Sequence, residues 1–356
     1  MHGGNQHVTD LLSPSPVQTP EAADLCRRVR DRAERGDLLG AIAMGHAVHR
    51  ELQDPVLERY LVALRAAAFA TLPVSARPAP PPAPVDPFPG QRGVPEIDGR
   101  DLTPAILAGS IRHHGSLLVR GLFDPAAAAD LRRDVDRAFA AQTAFKAGAA
   151  VEDTGPWYAR VEALGALGYA RPFTEDNDGI WTADSPRVFH RLIDLFERQG
   201  LIDLVGAVLG ERPAMSIGKS TLRRVGPGIG TDWWHQDGAF LGAGIRALNI
   251  WLALSPCGTD APGLDVFAGR LDTIVPTGTD GAHFDWSVGR TLVDRLAAEG
   301  AEIASPVFAP GDALLFDEMM LHCTGVRPGM TGTRWAIETW FFAPSSFPME
   351  QVPLVL

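Results

Sequence analysis

The chain has 356 residues, 46% of them hydrophobic, and a formal charge of −11 from 32 Lys and Arg against 43 Asp and Glu. That length holds one large domain with additions, or two domains, and the acidic balance argues against nucleic-acid or anionic-membrane partners, both of which need basic patches. Three scattered cysteines, Cys26, Cys257 and Cys323, exclude a disulfide framework or a zinc ribbon, and the lack of a signal-peptide pattern or of an apolar run of roughly 18 residues makes a reducing cytoplasm the expected compartment.

Residues 1–19 are rich in Ser, Pro and Thr and read as a mobile N-terminus. From 20 to 72 the apolar residues Leu25, Val29, Ala33, Leu38, Ile42 and Ala43 recur at helical spacing. A turn at Gly36-Asp37 makes this a helical hairpin, and 56–69 reads as a further helix. The expectation is a helical extension packed on the main domain, with a protein-interaction role as the alternative. Residues 73–92 hold Arg77-Pro78-Ala79-Pro80-Pro81-Pro82-Ala83-Pro84, an extended Pro-rich linker. The main domain then runs over 93–356. Thr103-Pro104 caps and opens a helix to about His113, 116–120 reads as a strand, and Asp124-Pro125 opens a helix to about Ala141. Residues 147–184 show little periodicity. Ser185-Pro186 opens a helix to about Leu209. Beyond it the chain turns β-rich, with candidate strands at 214–217, 219–224, 232–237, 247–254, 313–316, 321–324 and 334–342, punctuated by Pro and Gly. Short strands with regular turns predict a barrel or sandwich. Residues 256–310 read as a long insertion with one helix at 292–299.

The chemistry is carried by a divided group of residues. His235 and Asp237 share a face if 232–237 is a strand. Far downstream, His322 follows the Gly311-Asp312 turn and the apolar run 313–316, with Thr324 on its face, and Arg334 opens the last long strand. Two imidazoles and one carboxylate form the facial triad of non-haem Fe(II) oxygenases, with open positions for a cosubstrate and dioxygen. A guanidinium at the closed end of a barrel suits a carboxylate. Taken singly, His235 reads as a core or surface histidine, Asp237-Gly238 as a turn and Arg334 as a surface residue; only their joint pattern points to a metal. Cys323 adjoins His322 but points to the opposite face, as a buried thiol.

With these residues in place, the chain resembles the phytanoyl-CoA dioxygenase family of Fe(II)/2-oxoglutarate-dependent oxygenases. The resemblance covers roughly 93–342. It rests on Trp234-His235-Gln236-Asp237, Pro262-Gly263-Leu264, Gly311-Asp312, His322-Cys323-Thr324-Gly325, Arg334 and the upstream stretch from Gly115 to Phe123. It implies a mostly β core with helices, a double-stranded β-helix (jelly-roll, cupin-like) carrying the N-terminal helical extension. It implies Fe(II) on His235, Asp237 and His322, 2-oxoglutarate held by Arg334 and Thr324, and dioxygen as the oxidant. Trp251 would line the cosubstrate pocket beside Asn249, with Thr221 a weaker candidate and ordinary core packing the alternative for Trp251. The implied reaction hydroxylates an unactivated C–H bond of a small molecule, in specialised metabolism for example. Asp237 fills the position that related halogenases leave to Gly or Ala, which disfavours halogenation. The chain departs from the family at Phe267-Ala268-Gly269-Arg270-Leu271, where members often carry Pro-Gly-Ser-His.

Substrate recognition is expected from 147–184 and 256–310, through Tyr158, Arg160, Arg171, Arg270 and His283, with Lys219, Arg223 and Arg224 adding basic character that hints at an anionic substrate. Two other readings stay open. One is a jelly-roll hydrolase or isomerase that needs no 2-oxoglutarate, and the other is a non-catalytic scaffold or sensor.

Overall fold

A computed structural model describes residues 20–72, 83–161, 170–229 and 233–356. The expected mobile N-terminus and the core of the Pro-rich linker lie outside the described residues. Three helices come first: α1 (Pro20–Glu34), α2 (Leu38–Leu52) and α3 (Pro55–Phe69). Asp37 and Asp54 cap the second and third by accepting from the backbone N–H groups of Gly40 and Leu57, and Pro55 sits at the first turn, where no donor is missed. The main domain follows with β1 (Glu96–Asp98), α4 (Pro104–His114), β2 (Ser116–Arg120), α5 (Pro125–Lys146), α6 (Val151–Thr154), α7 (Ala170–Asp176) and β3 (Gly179–Trp181). Then come α8 (Pro186–Arg198), α9 (Leu201–Leu209), β4 (Ala214–Ser216), β5 (Thr221–Val225), α10 (Gly238–Leu241), β6 (Ala247–Ala253), β7 (Gly263–Ala268) and α11 (Arg290–Ala298). The last strands are β8 (Glu302–Ala304), β9 (Ala313–Phe316), β10 (His322–Gly325), β11 (Arg334–Phe342) and β12 (Pro353–Val355).

The larger sheet runs β1-β2-β9-β6-β11-β4-β12, with β5 also paired to β11 and β3 to β5. The smaller one runs β10-β7-β8 and is prolonged by a bridge between His235 and His322. Side-chain alternation divides the core in two. Leu248, Ile250, Leu252, Leu315, Ile337 and Phe341 face the helices α5, α8 and α9. Trp251, Ala253, Leu314, Phe316, Ala336 and Trp340 face the smaller sheet. Both faces of β6 and β9 are therefore covered, which explains their near-continuous apolar sequence. Two sheets face to face with this β-rich sequence order make the double-stranded β-helix that the resemblance implies. On β11 the period of two also turns Arg334 and Glu338 inward beside Ala336 and Trp340, so both charges need partners inside the barrel.

Several expectations need correction. Residues 256–310 are not merely an insertion, because they supply β7 and β8, two of the three strands of the smaller sheet. Their signal was hidden by the Pro-Gly turn before β7 and by Asp265 within it. The helix expected to reach Leu209 breaks at Gly200, whose φ of +67° ends α8 and starts α9. Asp237 is not in a strand. Only Trp234 and His235 make bridges, and Asp237 takes helical angles (φ −61°, ψ −29°) at the head of α10. Residue 232, where that strand was expected to begin, lies outside the described residues.

The N-terminal helices pack on the main domain. Val29, Ile42, Leu57, Tyr60 and Leu64 form one cluster that includes Val355 of the edge strand β12. The buried Arg65 donates to the Val355 carbonyl at 2.7 Å. Among the described residues no helix is long and apolar enough to cross a membrane.

Candidate metal centre

The pairing of two distant segments builds the site. The backbone N–H of His235 donates to the His322 carbonyl at 2.9 Å, and that of His322 donates back at 3.0 Å. This reciprocal pair sets the two imidazoles with centroids 4.3 Å apart. Each ring is oriented the same way: Nδ1 of His235 lies 2.8 Å from the Trp233 carbonyl, and Nδ1 of His322 lies 3.0 Å from the Met320 carbonyl. A proton on each Nδ1 satisfies those carbonyls and leaves both Nε2 lone pairs facing the same space. The turn into α10 swings Asp237 into that space, with Oδ2 3.9 Å from His322 Nε2. Ligand atoms of His235, Asp237 and His322 all lie within 4.8 Å of one another. Two imidazoles and one carboxylate with a cavity in front suit Fe(II), so the donor set fits the implied metal.

Electrostatics favour ligation. Burial, and then the neighbouring His322, push His235 down to about 4, so its imidazole is neutral at pH 7. Burial pushes the Asp237 carboxyl up, but Lys219 and the two histidines outweigh it and hold Asp237 at about 2. Lys219 donates to Asp237 Oδ1 at 2.5 Å, and its Nζ lies 4.8 Å from the Phe240 ring centroid. The two carboxylate oxygens are thereby distinguished: Oδ1 is held by Lys219, and Oδ2 faces the histidine.

The triad opens into a cavity of about 370 Å³ that Thr221, Trp251, Thr324 and Arg334 also line. Arg334 is 2% exposed. One of its terminal nitrogens donates to the Gly263 carbonyl at 2.7 Å, while its Nε has no partner. Burial pulls the guanidinium down to about 10, so it is still a cation at pH 7. A buried cation with an idle donor beside a metal-ligand set fits a carboxylate cosubstrate. Trp251 lies under Arg334, its ring centroid 5.3 Å from Cζ, and the amide oxygen of Asn249 lacks a partner nearby. Thr221 sits in the same cavity, but its hydroxyl is donated to Glu338 at 2.9 Å. Cys323 packs with Trp234, Val288 and Leu292, away from the cavity.

The cations expected to read the substrate are paired with carboxylates. Arg160 pairs with Glu175, Arg171 with Asp184, Arg223 with Glu338, Arg224 with Asp136, and Arg270 with Asp317. Sequence spacing does not reveal such pairing, because each partner comes from a different segment or strand. Tyr158 is buried and donates to Glu175, and neither it nor His283 lines the cavity.

Two features escaped sequence reasoning. The side chain of Gln236, fully buried, accepts from Val275 N–H and donates to the Thr273 and Met319 carbonyls, which ties the chain before His322 to the triad segment. A polar residue between two ligands was the available signal. The second is another group that meets the same distance criterion as the triad: His46, Asp194 and Glu197, where α2 crosses α8. His46 Nε2 lies 3.0 Å from Asp194 and 3.2 Å from Glu197. Arg50 donates to both carboxylates, at 2.7 and 2.6 Å.

Comparison with known proteins agrees with the geometry. The sequence model described as phytanoyl-CoA dioxygenase (PhyH) matches residues 111–326, more than half of the chain. That stretch includes His235, Asp237, His322 and Thr324 and stops short of Arg334. No curated protein matches the chain. Among solved structures, EctD from S. alaskensis with 2-oxoglutarate and 5-hydroxyectoine is 18% identical at a TM-score of 0.49, covering 74% of this chain and 87% of that one. AviO1 from Streptomyces viridochromogenes Tue57 is 18% identical at 0.43, covering 69% and 97%. Likenesses this distant add nothing to the functional argument, which rests on the family match and the triad. The chain belongs to the phytanoyl-CoA dioxygenase family and is an Fe(II)/2-oxoglutarate-dependent dioxygenase, a hydroxylase by reaction class.

Proposed function

We propose that His235, Asp237 and His322 hold the Fe(II), that Arg334 and Thr324 hold the distal carboxylate of 2-oxoglutarate over Trp251, and that the enzyme hydroxylates a C–H bond of a small molecule in the cytoplasm. The observation that carries this reading is the buried Arg334, with an idle Nε, in the same cavity as three converging metal ligands. When bound, iron and 2-oxoglutarate supply the oxidising power: dioxygen is consumed, 2-oxoglutarate becomes succinate and carbon dioxide, and an oxygen atom enters the substrate C–H bond.

The protein supplies geometry and exclusion. The Trp233 and Met320 carbonyls hold the imidazoles with Nε2 forward. Lys219 holds Oδ1 of Asp237, so Oδ2 is the oxygen that would be offered to the metal. Phe316, Trp340 and Trp251, each about 1% exposed, wall the inner side of the cavity against water. A hydrolase or isomerase that used no 2-oxoglutarate would have no need of Arg334, and a scaffold would have no need of the triad.

The test is spectroscopic. Anaerobic protein with Fe(II) and 2-oxoglutarate is expected to show a weak visible metal-to-ligand charge-transfer band. Its absence from protein that retains iron would remove 2-oxoglutarate from the reading. Its appearance without iron bound to the triad would reassign the ligands.

A further inference from the structure

The outer half of the cavity differs from the inner half in a way that bears on the substrate. Phe173, Trp233, Phe240 and Trp286, from three stretches of chain, line it beside the ligand His235. Trp286 lies 5.5 Å from the His235 ring, at 82° to it. Phe284 backs Trp286 in a parallel stack, with centroids 4.8 Å apart. Phe173 and Phe240 close the group around Trp286, at 6.2 and 5.9 Å. Both remain largely open to water, 43% and 39% exposed, although they are large apolar side chains. Exposed aromatics gathered at the mouth of a catalytic cavity mark a contact surface for a ligand.

The charges lining the cavity balance. The cations are Lys219, Arg223 and Arg334, and the anions are Asp237, Glu338 and Glu350. Lys219 is committed to Asp237, and Arg223 is committed to Glu338 and to the Asn177 carbonyl. Arg334 is buried at the cosubstrate end. Among the described residues, no lining cation is left to meet an anionic substrate. An acyl-CoA, with its several phosphate charges, would need such cations. Flat side chains, rather than a tunnel of Leu, Ile and Met, favour a flat ligand, because aromatic rings gain from stacked or edge contacts.

We propose that the substrate of this enzyme is an uncharged molecule built around a flat ring system, seated against the Phe173–Trp233–Phe240–Trp286 wall, and not an acyl-CoA. This rests on the site assignment above, and the experiment separates the two. The enzyme with Fe(II) and 2-oxoglutarate, held anaerobically, is first checked for the charge-transfer band; failure at that step counts against the site assignment. The banded complex is then titrated with 2-naphthol, 9-anthracenemethanol, decanoyl-CoA and tetraethylammonium, reading the shift of the band and the heat of binding. The two neutral ring probes are expected to bind and shift the band, and the thioester and the cation to do neither. Trp286→Ala is expected to weaken 2-naphthol at least tenfold, and Trp286→Phe to stay within about threefold of the parent, each titrated in enzyme that shows the band beforehand. Preference for decanoyl-CoA or tetraethylammonium, silence of both ring probes in a banded enzyme, or equal affinity of the Trp286→Ala variant would each overturn the proposal.

Discussion

Among the described residues, two groups of histidines and carboxylates bring their ligand atoms within 4.8 Å of one another, yet their surroundings differ in kind. At His235, Asp237 and His322 the ligand atoms open into a cavity, and both imidazoles are turned by backbone carbonyls so that Nε2 points at the shared space. At His46, Asp194 and Glu197 the space between the carboxylates already holds the guanidinium of Arg50, which donates to both. One group turns its donor atoms toward a cavity, and the other turns its carboxylates onto an arginine of the same fold. Donor proximity is therefore not a metal site by itself. The deciding features are an open approach, lone pairs aimed by a second layer of hydrogen bonds, and a charge left for the metal to balance.

The contrast breaks most sharply at the triad. Asp237→Ala or His322→Ala is expected to remove iron from the isolated protein and to lower turnover by at least about a thousandfold, since the chemistry belongs to the metal. Metal analysis beside a succinate-release assay checks this, and a variant that keeps stoichiometric iron would show that the ligand set is wrong. Next in size is Arg334→Ala, which removes a charge-assisted contact worth about 1.5–3 kcal/mol. The KM for 2-oxoglutarate is expected to rise roughly 10- to 150-fold, on that energy range, while iron stays bound. Equal KM values would take Arg334 out of cosubstrate binding.

Much of this was legible in the sequence, and the exceptions have physical causes. That His235, Asp237, His322 and Arg334 belong together could be read because each stands at the edge of an apolar run or a Gly/Asp turn, and the fold brings all four to one cavity. The strand argument for Asp237 reached the right neighbourhood by the wrong route: His235 is aimed by a bridge to His322, and Asp237 by a helical turn. β7 was missed because Asp265 interrupts its apolar run. That carboxylate faces Arg327 and Ser305, partners distant in sequence. The cations around the site looked free for the same reason. Ion pairing across the fold leaves no periodicity, so Arg223 with Glu338 or Arg171 with Asp184 cannot be seen until the chain is folded. The aromatic wall is likewise assembled from positions 173, 233, 240 and 286, none of which forms a motif with the others.

A smaller effect tests how the triad differs from its counterpart in handling a nearby cation. Lys219 holds Asp237 from the side, where Arg50 sits among the ligands of the other group. Lys219→Ala is expected to lower Fe(II) affinity about 10- to 100-fold, as for other outer partners of metal ligands, and to alter the charge-transfer band. Lys219→Arg should recover part of both. Affinity unchanged or improved in the alanine variant would mean that Lys219 competes with the metal rather than positioning its ligand.

The smallest expected effect concerns the second group, and it distinguishes an ion-pair lock from a metal site. Burial pushes the Asp194 carboxyl up, but His46 and Arg50 outweigh it and hold it well below the usual carboxylate range. A carboxyl depressed by folding stabilises the protein above its unfolded value, near 4, and that stability is lost as pH falls through the folded value. Melting temperature is therefore expected to fall between about pH 4 and the acid limit, partly because α2 loses its hold on α8. Asp194→Asn should lower Tm by about 1–2 °C at pH 7, for a loss of about 1 kcal/mol given that Arg50 is 46% exposed. It should also flatten the acid limb, while iron content and the charge-transfer band remain those of the parent. His46→Ala should likewise leave one iron per chain, because Arg50 already occupies the place a cation would take. A second equivalent of iron in the parent that His46→Ala abolishes would reverse the comparison and make the helical interface a metal site of its own.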